Sequence, residues 1–194
     1  MRFRYTLALL TVLATACGGR RPPSADDTPR PAPDLSGRTV MVLPTQTAAG
    51  GVALASFDDE LRFWLADRGP RVRWTFAAEM ERALASAPAL QIELNALPVE
   101  AFLRAEVKRI GDPLFGDLRR LGALVDARYA LLPVAVAYVP AEQGPGRVEV
   151  GAALIDTVGG AVLWYGVVGG TRGEATQASV TASAAQALAA AVLR

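Results

Sequence analysis

The chain of 194 residues contains no histidine and a single cysteine, Cys17. The usual acid–base group at neutral pH is therefore missing, and no serine–histidine or cysteine–histidine dyad can form. Asp58 and Asp59 are the one carboxylate pair whose spacing invites a catalytic reading. Adjacent helical residues point to different parts of the helix surface, and acids near a helix start complement its dipole without doing chemistry. Asp156 stands between two apolar runs, where an aspartate forms a turn by accepting nearby backbone amides. No G-x-S-x-G, S-x-x-K, H-E-x-x-H or phosphate-loop pattern occurs, and the only lysine, Lys108, is followed by arginine. No catalytic residue, cofactor or metal ligand is assigned, and the expectation is a protein that is not an enzyme. A cell-wall hydrolase would need a carboxylate pair that the sequence does not supply.

Cys17 calls for another explanation. Arg2 and Arg4 form a charged start, Tyr5 to Leu13 an apolar stretch, and Ala14, Thr15 and Ala16 a run of small residues, which together read as an export signal. The apolar stretch is too short to span a bilayer, which takes about 20 residues. An exported chain normally uses cysteines in pairs, so one thiol needs a separate reason. The small residues ending in Cys17 resemble the lipobox of bacterial lipoproteins, with Ala14 where leucine is usual. That resemblance implies cleavage before Cys17, acylation of its thiol and anchorage in membrane lipid, firm once more than one chain is attached. An ordinary signal cut after Ala16 is the alternative. Gly18, where aspartate would favour inner-membrane retention, points to the outer membrane with the domain facing the periplasm.

Residues 18 to 37 hold five prolines and little that would enter a core, the composition of an extended tether. Arg20 and Arg21 are too few for a lipid-recognition cluster. Residues 38 to 194 have the length of one domain. The net charge of +1 and the absence of a basic stripe give no reason to expect nucleic acid.

Within the domain, Arg38 to Pro44 suits a buried strand. Ser56 and Asp59 suggest a capped helix start, with Phe57, Leu61, Trp64 and Leu65 on one face and Gly69–Pro70 at its end. Val72, Trp74 and Phe76 alternate as one face of a strand, and residues 77 to 86 are rich in helix formers. Pro98 opens an expected helix with Val99, Phe102, Leu103 and Ile110 along one side. Asp112 as cap and Pro113 as first residue open the next, with Leu114, Leu118, Leu121 and Val125 inward. Tyr129 to Val139 reads as a strand covered on both faces, with Pro133 marking a bulge or an edge. Arg147 to Gly170 reads as a hairpin turning at residues 156 to 160, with Val148, Val150, Ala152 and Leu154 on its buried face. A final helix from Ser179 places Val180, Ala184, Ala187, Leu188 and Ala191 on one side.

This order of elements, with Asp126, Tyr129, Asp156, Gly160 and Trp164 at its texture points, resembles an envelope group. The group comprises the TolB N-terminal domain, the curli-secretion lipoprotein and the lipoprotein activators of penicillin-binding proteins. Gly159 stands where threonine is usual, and Ala127–Arg128 separate the aspartate from the tyrosine. The resemblance implies an α/β fold, a single domain whose mixed, mostly antiparallel sheet of about five strands packs with helices. It also implies envelope work through protein contacts.

Trp64 and Trp74 have core positions as their default. Trp164 and Tyr165 lie side by side on a hairpin strand with both faces apolar, and they are the candidate partner-binding residues. The expectation is a non-catalytic interaction module, an adaptor or regulator of envelope assembly or export. The alternative is a self-assembling scaffold or secretion-ring subunit, a homo-oligomer.

Overall fold

The computed structural model describes residues 31–104 and 107–193. The signal segment, Cys17, Arg20 and Arg21 lie outside the described residues. Six strands form one sheet in the order β3-β1-β4-β5-β6, built from β1 (Thr39–Val42), β3 (Arg73–Thr75), β4 (Tyr129–Val139), β5 (Arg147–Asp156) and β6 (Val162–Arg172). The sixth, β2 (Thr47–Ala49), continues the line of β1 along β4. The short pairings with β1 and β2 are parallel, whereas the long β4–β5 and β5–β6 pairings are antiparallel. The sheet is therefore mixed and, by length of ladder, mostly antiparallel, as expected from the sequence.

Period-two alternation sorts each strand between two cores. Val40, Val42, Leu131, Val148, Val150, Ala152, Leu154 and Trp164 face α1 (Leu54–Arg68) and α5 (Ala178–Val192). Met41, Leu43, Ala130, Leu132, Ala153 and Ile155 face α2 (Ala77–Ala85), α3 (Glu100–Arg104) and α4 (Leu114–Leu124). Helices thus cover both faces, which is why β4 and the hairpin tolerate near-continuous apolar sequence. Pro133 marks a bulge: the β4–β5 register slips between Pro133 and Ala135, in the centre of the sheet rather than at its edge.

Four details differ from the sequence reading. The first helix begins at Leu54 with Ala53 as a cap that makes no side-chain bond, so Ser56 does not cap it. Of the expected helix from Pro98, the described residues show Glu100–Arg104 as helix, whereas Lys108 to Ile110 join the hairpin end, through Val162 N–H to the Lys108 carbonyl (3.0 Å) and Ile110 N–H to the Gly160 carbonyl (2.9 Å). Val99, Phe102 and Ile110 are nonetheless buried, because they are this connection's anchors; the Leu103 side chain lies outside the described residues. The fourth helix starts one residue later than expected, with Pro113 as its cap residue and the Asp112 carboxylate accepting Gly116 N–H at 3.0 Å. Leu35, in the segment read as tether, is buried, and Gly37 N–H donates to the Arg71 carbonyl at 2.8 Å.

The last helix sits close to the sheet because its inward face is small. Ala184, Ala185, Ala189 and Val192 join Val180, Leu188 and Ala191 there, while Ala187 turns partly to solvent. A Cβ at Gly170 would stand 2.6 Å from the Ala184 backbone nitrogen, so glycine on β6 is what lets α5 approach.

Candidate functional site

Four of the residues that carry the sequence resemblance, Asp126, Tyr129, Asp156 and Gly160, lie at one corner, where the turn of the hairpin abuts the α4–β4 connection. Asp126 has φ of 52°, a left-handed conformation that aspartate tolerates better than most residues. Tyr129 opens β4 opposite Asp156. The Asp156 carboxylate accepts Val158 N–H at 3.0 Å and meets the Arg128 guanidinium at 3.4 Å. Gly160, at φ 70°, closes the turn by donating to the Asp156 carbonyl at 2.8 Å. A Cβ on Gly160 would come within 3.0 Å of the Phe115 ring.

Thr157, which the sequence reading passed over, locks the corner. Its hydroxyl donates to the Ala127 and Arg128 carbonyls (3.1 and 2.9 Å), and its backbone N–H donates to Arg128 (2.9 Å). A polar residue inside an otherwise glycine-rich turn was the available signal. These residues build the corner by satisfying backbone groups, and their chemistry is spent on the fold.

The structure separates the two candidate partner-binding residues. Trp164 is 3 % exposed and lies in the core beneath α1 and α5. Tyr165, its neighbour, points to the opposite face, packs on the second core, and donates its hydroxyl to the Phe102 carbonyl at 3.1 Å. Successive strand residues face opposite sides, so no single surface displays both. Trp74 donates Nε1–H to the Gly69 carbonyl at 3.2 Å. Trp64 is half-buried, with Phe63 edge-on to its ring and the Arg68 guanidinium 5.5 Å from its centre.

Asp58 and Asp59 behave differently from each other. Asp59 is exposed and pairs with Arg62 at 3.1 Å on its own helix. Asp58 turns to the end of β1, where its carboxylate accepts the Thr45 hydroxyl and the Thr45 backbone N–H, the latter at 3.1 Å. Both line a crevice of about 270 Å³ between α1 and α2, floored by Val42, Leu43, Leu61 and Phe76. Among the described residues no group of histidine, cysteine or acidic side chains could hold a metal ion, and no helix is long and apolar enough to cross a membrane.

Burial raises the Asp58 carboxyl above its usual range, against the lowering pull of the Thr45 bonds and with a further rise from Asp59. Protonation of Asp58 is therefore easier in the folded crevice than in the unfolded chain. Asp58 contributes stability that is fully present below its unfolded pKa of about 3.9 and is lost as pH rises through its raised folded value. In urea unfolding, the wild type is expected to gain on Asp58→Asn as pH falls from about 7 to about 4; a constant difference would reject the raised value.

No family model matches the chain, and no curated protein matches it. Solved structures do resemble it. A PelC dodecamer from Paraburkholderia phytofirmans is 20% identical with a TM-score of 0.47, covering 82% of this chain and 94% of that one. The LpoB C-terminal domain from Salmonella enterica is 14% identical with a TM-score of 0.48, covering 69% of this chain and 82% of its own. A lipoprotein from Neisseria meningitidis is 17% identical with a TM-score of 0.46, covering 72% and 85% respectively. Likenesses at this level assign the chain no task.

Proposed function

We propose that this chain is a lipid-anchored envelope protein whose single α/β domain is a non-catalytic interaction module, an adaptor or regulator in envelope assembly or export. The anchor is Cys17, held in the inner leaflet of the outer membrane, and the proline-rich segment after it lets the domain stand off the bilayer.

The observation that carries the interaction is the end strand of the sheet. β6 runs from Val162 to Arg172 with no proline and no charge before Arg172. Among the described residues the Arg109–Ala161 bridge is the one strand pairing beside its start, and near its other end the Ser183 hydroxyl of α5 accepts Thr171 N–H at 2.9 Å, leaving the middle of the strand without a strand partner on its outer side. Edge strands that avoid pairing usually carry lysine, proline or an inward charge. An edge without them suits the addition of an extended segment from another envelope protein.

Crosslinking the native chain in intact cells tests this reading, with captured proteins identified by mass spectrometry. Val167 lies on β6 outside both cores, so Val167→Lys places a charge on the edge without disturbing the interior. One envelope protein captured by the wild type and lost in Val167→Lys is the expected result. Equal capture by the variant would overturn the edge, and a ladder of self-crosslinked copies would make the chain a scaffold or ring subunit.

A further inference from the structure

The crevice over β1 lies at a place where open sheets with helices on both faces tend to bind ligands. β1 sits between β3 and β4, and the chain continues from it through β2 into α1 on one face, while α2 begins on the other just past the end of β3. At such a junction the two flanking helices diverge and leave a gap beyond the carboxyl ends of the parallel strands. The gap here is lined by the end of β1, by Asp58, Asp59, Leu61 and Arg62 of α1, and by Ala77, Ala78 and Glu81 of α2.

Its chemistry is one-sided. The floor is apolar and three carboxylates stand on the walls against one guanidinium, that of Arg62. Arg62 is engaged with Asp59. Among the described residues no cation lies within ion-pair distance of Asp58 or Glu81. Asp58 is held in place by the end of β1, since Thr45 bonds both of its carboxylate oxygens, the backbone N–H standing 3.1 and 3.3 Å from them. A fixed, partly desolvated carboxylate above an apolar floor complements a cation carried on an apolar stem.

We propose that this crevice binds the side chain of an arginine presented by a protein partner, the methylene stem on Val42, Leu61 and Phe76 and the guanidinium between Asp58 and Glu81. Arginine fits better than lysine because its planar fork reaches two carboxylates at once and is less strongly hydrated, so it is more easily taken from water. The site lies near the opposite end of the sheet from β6 and does not depend on strand addition there.

The test titrates the isotope-labelled full chain in detergent micelles with N-acetylarginine amide and follows backbone amide shifts. N-acetylcitrulline amide, the neutral isostere, and N-acetyllysine amide serve as comparisons. Saturable shifts at Val42, Leu43, Leu61, Ala77 and Ala78 with the arginine probe are expected, with affinity falling about tenfold in Asp58→Asn, the worth of one charge-assisted hydrogen bond. Glu81 is exposed on α2, so Glu81→Gln leaves the fold intact and is expected to weaken binding as well. Equal shifts with citrulline, equal binding of the lysine probe, or binding unaffected by Glu81→Gln would each overturn the proposal.

Discussion

Trp164→Ala is expected to destabilise the domain by about 3–5 kcal/mol, the range for truncating a buried large aromatic. The indole lies between the sheet and the α1–α5 layer, 3 % exposed, among Leu154, Leu188 and their neighbours. Leu154 faces it directly across the β5–β6 ladder. Removing the ring leaves a cavity that two sheet strands and two helices cannot close without losing their own contacts. Urea unfolding measures the loss as a lower midpoint at unchanged slope. A fully stable Trp164→Ala that had merely lost a partner would place the ring on a surface, against the geometry found here.

Phe57→Ala is expected to cost a similar amount, about 3–5 kcal/mol. Phe57 is fully buried on α1, one turn from Leu61 and two from Leu65, and this triplet seats the helix on the sheet. Phe63 on the same helix is 60% exposed, and Phe63→Ala is expected to change stability by no more than about 0.5 kcal/mol. The pair of variants therefore reads the rotational setting of the helix. Comparable losses at both positions would mean that α1 docks with a different face.

The architecture was legible in the sequence wherever one periodicity dominated. Val148, Val150, Ala152 and Leu154 alternate, and they share one core. Leu114, Leu118 and Leu121 recur at helical spacing, and all are buried. The helix boundaries were harder to read, because a cap is decided by where a side chain finds its partner. Asp58 bonds Thr45 across the fold instead of serving its own helix, and no local pattern encodes that choice. Lys108 to Ile110 fail as helix for a related reason: their backbone groups are taken by the end of the hairpin.

The candidate site was less legible. Asp126, Tyr129, Asp156, Gly160 and Trp164, which carry the sequence resemblance, lie on the hairpin and its supports, and the structure gives them structural tasks. Asp126 adopts a positive φ, Asp156 and Gly160 close a turn, and Trp164 fills the core. A pattern of this kind records how the chain folds, which explains why it can mark a fold without fixing an activity. The crevice over β1 was invisible from sequence for the opposite reason. Its walls come from residues 42–44, 58–62 and 76–81, brought together by the sheet order alone.

The envelope function proposed for this protein depends on its address, and the address rests on Cys17. The most direct measurement is the intact mass of the protein extracted from the envelope with detergent, followed by fragmentation of its amino terminus. The account predicts a chain beginning at Cys17, with diacylglycerol on the thiol and a further fatty acyl chain on the new amine, and release from the membrane fraction in Cys17→Ala. A chain beginning at Cys17 with an unmodified thiol, or one that still carries residues 1–16 and fractionates away from the membrane, would contradict it.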